Sequence, residues 1–204
     1  MLACKLKTSG RIVFLLIALL TSSLLCNNAL ADENSQNNPL SQIEIAMFDN
    51  LASAGSESEG RKAESVLWEY WFTLAPTAGV RQLLDDGRSR REAYDYEAAE
   101  NLFDQVVEQA PDYFEGYNQR AFARFLRENF SGALSDLEKT LELYPEHFGA
   151  LSGMYHVLRI QGHLEPAMKM LQRAVTIHPW IQERGALPKP LWPESYQAIH
   201  EPGI

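Results

Sequence analysis

Three prolines recur at a fixed interval of 34 residues, at Pro111, Pro145 and Pro179. A period of this length is typical of chains built from stacked helix–turn–helix units. Such units cannot bury their apolar faces alone, so the pattern predicts a stack of helical hairpins with a long exposed groove. Three other columns keep the same interval: Ala99, Ala133 and Ala167; Tyr96, Phe130 and Leu164; and Phe103, Leu137 and Leu171.

Each unit divides into two predicted helices. In the first unit, helix A covers about residues 78–93 and helix B about residues 96–110. The alanine column lies on the buried side of helix B and allows the two helices of a unit to approach closely. The proline column follows the end of each helix B, because proline cannot continue a helix. The three units are about residues 80–111, 112–145 and 146–179, within a repeat region of residues 77–179.

At these columns the chain resembles the tetratricopeptide repeat (TPR) family. In that family, helix A pairs a large apolar residue with a small one four positions later, and helix B has an aromatic residue, an alanine, an aromatic residue or leucine, and a terminal proline. The resemblance implies an all-α, right-handed α-solenoid of about three units. The chain is also similar to exported repeat proteins of Gram-negative bacteria. The early pairs are Leu83 with Gly87, Tyr117 with Ala121, and Leu151 with Tyr155, where tyrosine replaces the small residue.

Residues 1–31 have the pattern of an export signal. Lys5, Lys7 and Arg11 form a basic start, residues 12–20 are an unbroken apolar run, and residues 29–31 fit a small-x-small cleavage site. The alternative is a retained membrane anchor, although a spanning helix needs roughly 20 apolar residues. The pattern therefore predicts an exported protein, in the periplasm, without a transmembrane segment after cleavage.

The chain beyond residue 31 is acidic and contains no cysteine. Three of the 18 basic residues, none of the 27 acidic residues and both cysteines lie in residues 1–31. The remainder carries 15 basic against 27 acidic residues, which argues against nucleic acid as a partner. Without a disulfide, we expect the apolar core alone to hold this part together.

Three segments flank the repeats. Residues 32–38 are polar and asparagine-rich, which predicts a flexible linker. Residues 39–76 predict a helical pair that covers the first exposed face of the stack, and a capping box at residues 56–59 begins its second helix. The tail, residues 180–204, contains four prolines and is predicted to be irregular. Either it folds back over the last unit, or that face meets a partner, which would favour a homodimer.

In the TPR family, helix A positions spaced four and three apart line the concave surface. The resemblance therefore implies a groove with aromatic residues in the middle and cations at both ends. Arginine and aromatic side chains anchor interfaces, and a guanidinium binds a carboxylate through two hydrogen bonds. We expect a peptide segment with acidic groups here, unless Asp85, Glu92 and Asp95 simply pair with these arginines along the helix. The positions are Leu84, Arg88, Arg91, Asn118, Phe122, Phe125, Ser152, His156 and Arg159.

Arg120, Arg124 and Arg127 form a second stripe on helix A of the second unit. It faces away from the groove positions, and like charges four residues apart repel each other on a helix. The stripe is either a binding patch or, as we favour, is neutralised by acidic residues of neighbouring helices. Candidates are Glu100, Asp104 and Asp136.

Little in the sequence indicates catalysis or a cofactor. The five histidines form no His-x-x-x-His pair, so no metal site is expected, and no nucleophile or phosphate-binding motif is present. The lysines of the family's chaperone-tail clamp are also absent. We therefore expect a non-catalytic scaffold or adaptor of the cell envelope. The alternatives are an accessory metal-binding protein or hydrolase that uses histidines of the third unit, and a scaffold tethered by residues 1–31.

Overall fold

The computed structural model describes residues 39–200, and side chains from residue 42 onward. The predicted export signal, the linker at residues 32–38 and the last four residues of the tail lie outside the described residues. The chain divides into two units, Met1–Ile43 and Glu44–Ile204, and the repeats belong to the second. Throughout the described range the regular structure is helical, as the repeat pattern predicts.

Nine α-helices are described. The first two precede the repeats, the next six form three hairpins, and the last belongs to the tail, where two short 3-10 helices come before it at Gln182–Ala186 and Lys189–Leu191. The α-helices are α1 (Pro39–Ala52), α2 (Glu57–Thr73), α3 (Ala78–Glu92), α4 (Tyr96–Gln109), α5 (Phe114–Leu126), α6 (Phe130–Leu143), α7 (Phe148–Ile160), α8 (Leu164–Ile177) and α9 (Glu194–His200).

The three hairpins are α3–α4, α5–α6 and α7–α8, and they confirm the helical solenoid. All three residues of the alanine column are fully buried, because a larger side chain there would separate the two helices of each hairpin. The turn inside each hairpin places one residue in the left-handed region. These residues are 34 apart: Tyr94 with φ 62°, Glu128 with φ 60° and Gly162 with φ 81°.

The helical pair before the repeats begins and ends close to where the sequence predicts. Helix α2 has the expected capping box, in which the Ser56 hydroxyl accepts the Glu59 N–H at 3.3 Å. The Glu59 carboxylate reaches back one residue further than usual and accepts the Gly55 N–H at 2.8 Å. Two backbone donors at the start of α2 are therefore satisfied by side chains.

Helix α2 differs from the prediction in what it covers. Trp71 is fully buried and its ring packs against the rings of Phe114, Tyr144, His147 and Phe148, at the starts of the second and third units. The helix therefore runs across the repeats instead of covering only their first face. Aromatic side chains bury large areas, and the residues just before and at the starts of α5 and α7 offer a matching aromatic surface.

The tail packs onto the last repeat. Of the two alternatives that the sequence leaves open, this is the one in which the tail folds back over the last unit. Ile181, Leu187 and Tyr196 are buried in the same cluster as Leu171 of α8. The side-chain amide of Gln172 on α8 also donates to the Leu191 carbonyl at 2.8 Å. The tail therefore covers the apolar face at the end of the solenoid.

Candidate functional site

A cavity of about 970 Å³ lies on the inner side of the solenoid. Helix α2 forms one side of it, and α3, α5 and α7, the first helices of the three units, form the other. Residues 180–184 of the tail close the end at the third unit. We call these surfaces the α2 side, the repeat side and the tail end.

The structure brings together seven of the nine groove positions that the resemblance implies. The other two lie elsewhere: Leu84 is fully buried in the core, and Arg159 is exposed, with its guanidinium 5.8 Å from the Tyr155 ring. The residues that line the cavity are Arg88, Arg91, Asn118, Phe122, Phe125, Ser152 and His156.

The two arginines at the first unit lie over aromatic rings. The Arg88 guanidinium is 4.0 Å from the centre of the Phe72 ring, and that of Arg91 is 4.5 Å from the centre of the Phe122 ring. Burial and the neighbouring Arg88 charge lower the pKa of Arg91. Stacking holds both planar groups in place while leaving their edges able to donate hydrogen bonds.

Ion pairs with nearby acidic residues would give these arginines a purely structural role, but only some of the expected pairs form. Arg88 lies 3.5 Å from Asp85, whereas Asp95 pairs with Arg90, also at 3.5 Å. Arg91 has no carboxylate within ion-pair distance in the described part of the chain, and it donates to the Gln119 side chain. Arg91 is therefore the cation of the cavity with the least internal neutralisation.

A buried polar network lies beneath the repeat side. Glu115 is fully buried, and its carboxylate accepts hydrogen bonds from Asn118 at 3.2 Å and Gln119 at 2.5 Å. His147 is also fully buried, and its Nε2 lies 2.9 Å from the same carboxylate. Because His147 Nδ1 accepts the Ala150 N–H at 3.0 Å, its Nε2 carries the proton and donates to Glu115. The network fixes the orientation of Asn118 at the cavity surface.

The second arginine stripe is neutralised as predicted. Asp136 accepts from Arg120 at 2.7 and 2.9 Å and from Arg124 at 2.8 Å. Glu100 accepts from Arg124 at 2.8 Å and also from Arg127, while Asp104 accepts from Arg120 at 2.8 Å. These arginines tie α4, α5 and α6 together, and they do not line the cavity.

The α2 side was missed by the sequence reasoning. Glu64, Trp68 and Glu69 face the cavity from this helix, together with Phe72. The helix lies so close to α7 that a Cβ atom on Gly149 would be 2.5 Å from the Trp68 ring. Val66 of α2 is 51% exposed, whereas Trp68 and Phe72, four residues apart on one face of the helix, are the sequence signal that could have indicated this side.

The tail end is joined to both sides of the cavity. His156 Nε2 of α7 lies 2.9 Å from the Glu183 carboxylate, and Arg184 donates to Glu57 of α2 at 3.0 Å. Burial opposes ionisation of Glu183, but its hydrogen bonds with His156, with backbone and with Ser152 together outweigh burial and hold the pKa of Glu183 below its ordinary value. The Trp180 indole also donates to the Ala54 carbonyl at 2.7 Å. The third-unit end of the cavity is therefore closed by polar contacts.

The histidines of the third unit do not converge. His147 pairs with Glu115 and His156 with Glu183, and His178 lies 3.4 Å from Glu64. Across the described residues, no three histidine or acidic side chains are grouped so that they could hold a metal ion. Within the same range, no helix is long and apolar enough to span a membrane.

Comparison with known proteins agrees with this architecture. No protein-family profile matches the chain. A TPR repeat-containing protein of Rhizobium etli is 38% identical over 82 residues, so the match spans 40% of this chain and 40% of that relative. The first TPR domain of Spaghetti (RPAP3), solved with an HSP90 peptide, has a TM-score of 0.52, with 20% identity over 55% of this chain and 90% of that one. The chain therefore resembles TPR proteins in part of its sequence and in the fold of its repeats.

A second solved TPR domain has the same fold. It is the TPR2B domain of yeast Sti1 in a complex with Hsp70, with a TM-score of 0.51 and 18% identity over 59% of this chain and 98% of that one. At such low identity these likenesses establish the fold of the TPR units alone.

Proposed function

We propose that this protein is a non-catalytic interaction scaffold that binds a peptide segment of a partner protein in the cavity between α2 and the repeats. Mixed aromatic and cationic linings are typical of protein interfaces, where arginine and aromatic residues contribute most of the binding energy. The two similar TPR domains above were solved with chaperone-derived ligands, which supports the same general role for this fold.

The observation that carries the proposal is the exposed aromatic residue at the cavity. Phe122 is 47% exposed although it stands beneath the Arg91 guanidinium, and both line the cavity. Burying its remaining apolar surface against a partner would be favourable by about 25 cal/mol for each Å² removed from water. Arg88 and Arg91 would receive acidic groups of the partner, and Asn118, Phe125, Ser152 and His156 would contact the rest of the segment.

Capture of partners by cavity variants tests this proposal. The double variant Phe122→Ala with Phe125→Ala is expected to lose its partners in a pull-down from an envelope extract. The matched control is Tyr94→Ala with Leu164→Ala, which removes two exposed apolar side chains outside the cavity. Melting curves establish that both variants fold. Unchanged partners with the cavity variant would contradict the assignment.

The cellular location is a separate part of the proposal. The basic start, apolar run and small-x-small site of residues 1–31 support export to the periplasm, and retention of these residues would make a tethered scaffold. Cell fractionation followed by N-terminal sequencing distinguishes the two forms. A chain that begins near Asp32 supports cleavage, and a chain that begins at Met1 in the membrane fraction supports tethering.

The oligomeric state and the metal alternative need their own tests. Because the tail covers α8, a homodimer would have to use another surface, and sedimentation of the purified chain measures this directly. Metal analysis tests the accessory metal-binding or hydrolase alternative. Stoichiometric zinc would favour that alternative over a scaffold.

A further inference from the structure

The two sides of the cavity carry opposite charges. Arg88 and Arg91 lie on the repeat side. The α2 side carries Glu64 and Glu69, together with Glu57, which pairs with Arg61 of the same helix and with Arg184 of the tail end. At the tail end His156 Nε2 lies 2.9 Å from the Glu183 carboxylate. A segment that lies between Arg88 and Arg91 on one side and Glu64 and Glu69 on the other therefore has cations along one flank and carboxylates along the other.

The carboxylates of the α2 side are available to a ligand. Glu69 is exposed and forms no ion pair with another described residue. Glu64 is partly exposed at the cavity, where it accepts a hydrogen bond from the Trp68 indole at 3.3 Å and lies 3.4 Å from His178. Burial opposes its ionisation, but its interactions with His178 and Trp68 hold its pKa below the ordinary value. Both carboxylates line the space that a ligand would occupy.

A ligand of one sign fits this arrangement poorly. A segment with acidic groups on every side would meet Arg88 and Arg91 favourably but would meet Glu64 and Glu69 with repulsion, which is strong where water is excluded. Charge complementarity across an interface sets which partner is accepted.

We propose that the occupant is an extended peptide in which acidic and basic side chains alternate, because opposite charges line the two sides of the cavity. In an extended strand, successive side chains point to opposite faces, so alternation places every acidic group toward Arg88 and Arg91 and every basic group toward Glu64 and Glu69. A peptide with this alternation forms a helix poorly, because like charges would lie four residues apart on the helix. This inference rests on the proposed peptide-binding function and specifies the class of peptide.

Two synthetic peptides of identical composition test the inference. Both have about nine residues, with acetylated and amidated ends. In one peptide glutamate and lysine alternate and leucine takes the place of the central glutamate, and its isomer groups all glutamates before the leucine and all lysines after it. Binding to the purified chain is measured by fluorescence anisotropy at low salt. The alternating peptide is expected to bind about tenfold more tightly than its isomer, a difference of about 1.4 kcal/mol.

A charge-reversal variant shows which side of the cavity binds the lysines of the peptide. Glu69→Lys is expected to remove the preference for alternation and to improve binding of a third probe, an all-glutamate peptide. Glu108→Lys is the matched control, because Glu108 is exposed and does not line the cavity. Equal binding of the two isomers, failure of the alternating peptide to bind, or an unchanged preference in Glu69→Lys would each overturn the inference. Capture of partners that depends on Phe122 would still stand in those cases, so the two proposals fail separately.

Discussion

The two sides of the cavity are held in place by different forces. The repeat side rests on polar networks, in which Asp136 joins Arg120 to Arg124 and Glu115 holds Asn118. The α2 side is held by aromatic packing, with Trp71 at its centre. An ion pair depends on the charge and orientation of its side chains, whereas packing depends on their size and shape. We therefore expect the repeat side to respond most to loss of a charged group, and the α2 side to loss of a buried aromatic ring.

The largest effect is expected on the α2 side, from Trp71→Ala. Removing a fully buried tryptophan leaves a cavity among its ring neighbours and is expected to lower the free energy of unfolding by about 4 kcal/mol. Urea denaturation followed by circular dichroism measures the change. Because α2 supplies one side of the cavity, partner capture should fall with it.

The control for that substitution is another aromatic residue. Tyr94→Ala removes an exposed ring and is expected to change the stability by no more than about 0.5 kcal/mol. If Trp71→Ala lowered the free energy of unfolding no more than Tyr94→Ala does, aromatic packing would not be the interaction that holds α2 against the repeats.

On the repeat side, Asp136→Ala is expected to cost about 3 kcal/mol, because it leaves Arg120 and Arg124 without their buried partner. Asp104→Ala removes a carboxylate from the same arginines, but the Asp104 side chain is 47% exposed, against 4% for Asp136. Its cost should stay below about 1 kcal/mol. Equal costs in urea denaturation would contradict the assignment of Asp136 as the centre of this network.

The contact between the two sides can be tested with Gly149→Ala. Its Cβ atom would lie 2.5 Å from the Trp68 ring, so α2 and α7 must separate slightly. We expect a loss of about 2 kcal/mol in thermal or urea unfolding. The matched control is Gly185→Ala, where a Cβ atom would meet nothing within 4 Å. A loss confined to Gly185→Ala would mean that α2 does not pack against α7.

The smallest expected effect is on the pH dependence of stability. Burial opposes ionisation of Glu100 on the repeat side, but the hydrogen bonds and charges of Arg124 and Arg127 together outweigh burial and lower the pKa of Glu100. At the tail end, hydrogen bonds with His156, backbone and Ser152 together lower the pKa of Glu183. A lowered pKa in the folded state stabilises the protein above the ordinary value of 4.5, and this contribution is lost as the pH falls through the folded-state pKa.

Two glutamine variants separate these contributions. Glu100→Gln and Glu183→Gln are each expected to lower stability at pH 7 and to flatten its decline between pH 5 and pH 3. Unfolding at a series of pH values measures both slopes. If either variant kept the full acid dependence of the parent, the corresponding ion pair would not contribute to it.

The repeat side was predictable from sequence because its residues follow the 34-residue period. The period assigns each residue to an equivalent place in its unit, and the resemblance to the TPR family implies which of these places line the concave surface. Together they predicted that Arg88, Phe122 and His156 lie in a groove. The partners of Arg120 and Arg124 were predictable for the same reason, since equivalent helices stack at a fixed spacing.

The α2 side could not be predicted in this way because it occurs once. The pattern of a single amphipathic helix does not indicate which part of a solenoid the helix contacts. Here the position of α2 depends on contacts of Trp68 and Trp71 with aromatic rings from two different units. The buried pair of Glu115 and His147 was missed for a related reason, since it joins residues 32 positions apart and belongs to no repeated column.

The most direct test of the central claim is site-specific photo-crosslinking from inside and outside the cavity. A benzoylphenylalanine residue replaces Phe122, which lines the cavity, or Tyr94, which is exposed and does not. After irradiation of living cells, the purified chain is examined for covalent adducts. The account predicts a partner adduct from position 122 and none from position 94. An adduct from position 94 without one from position 122 would contradict it.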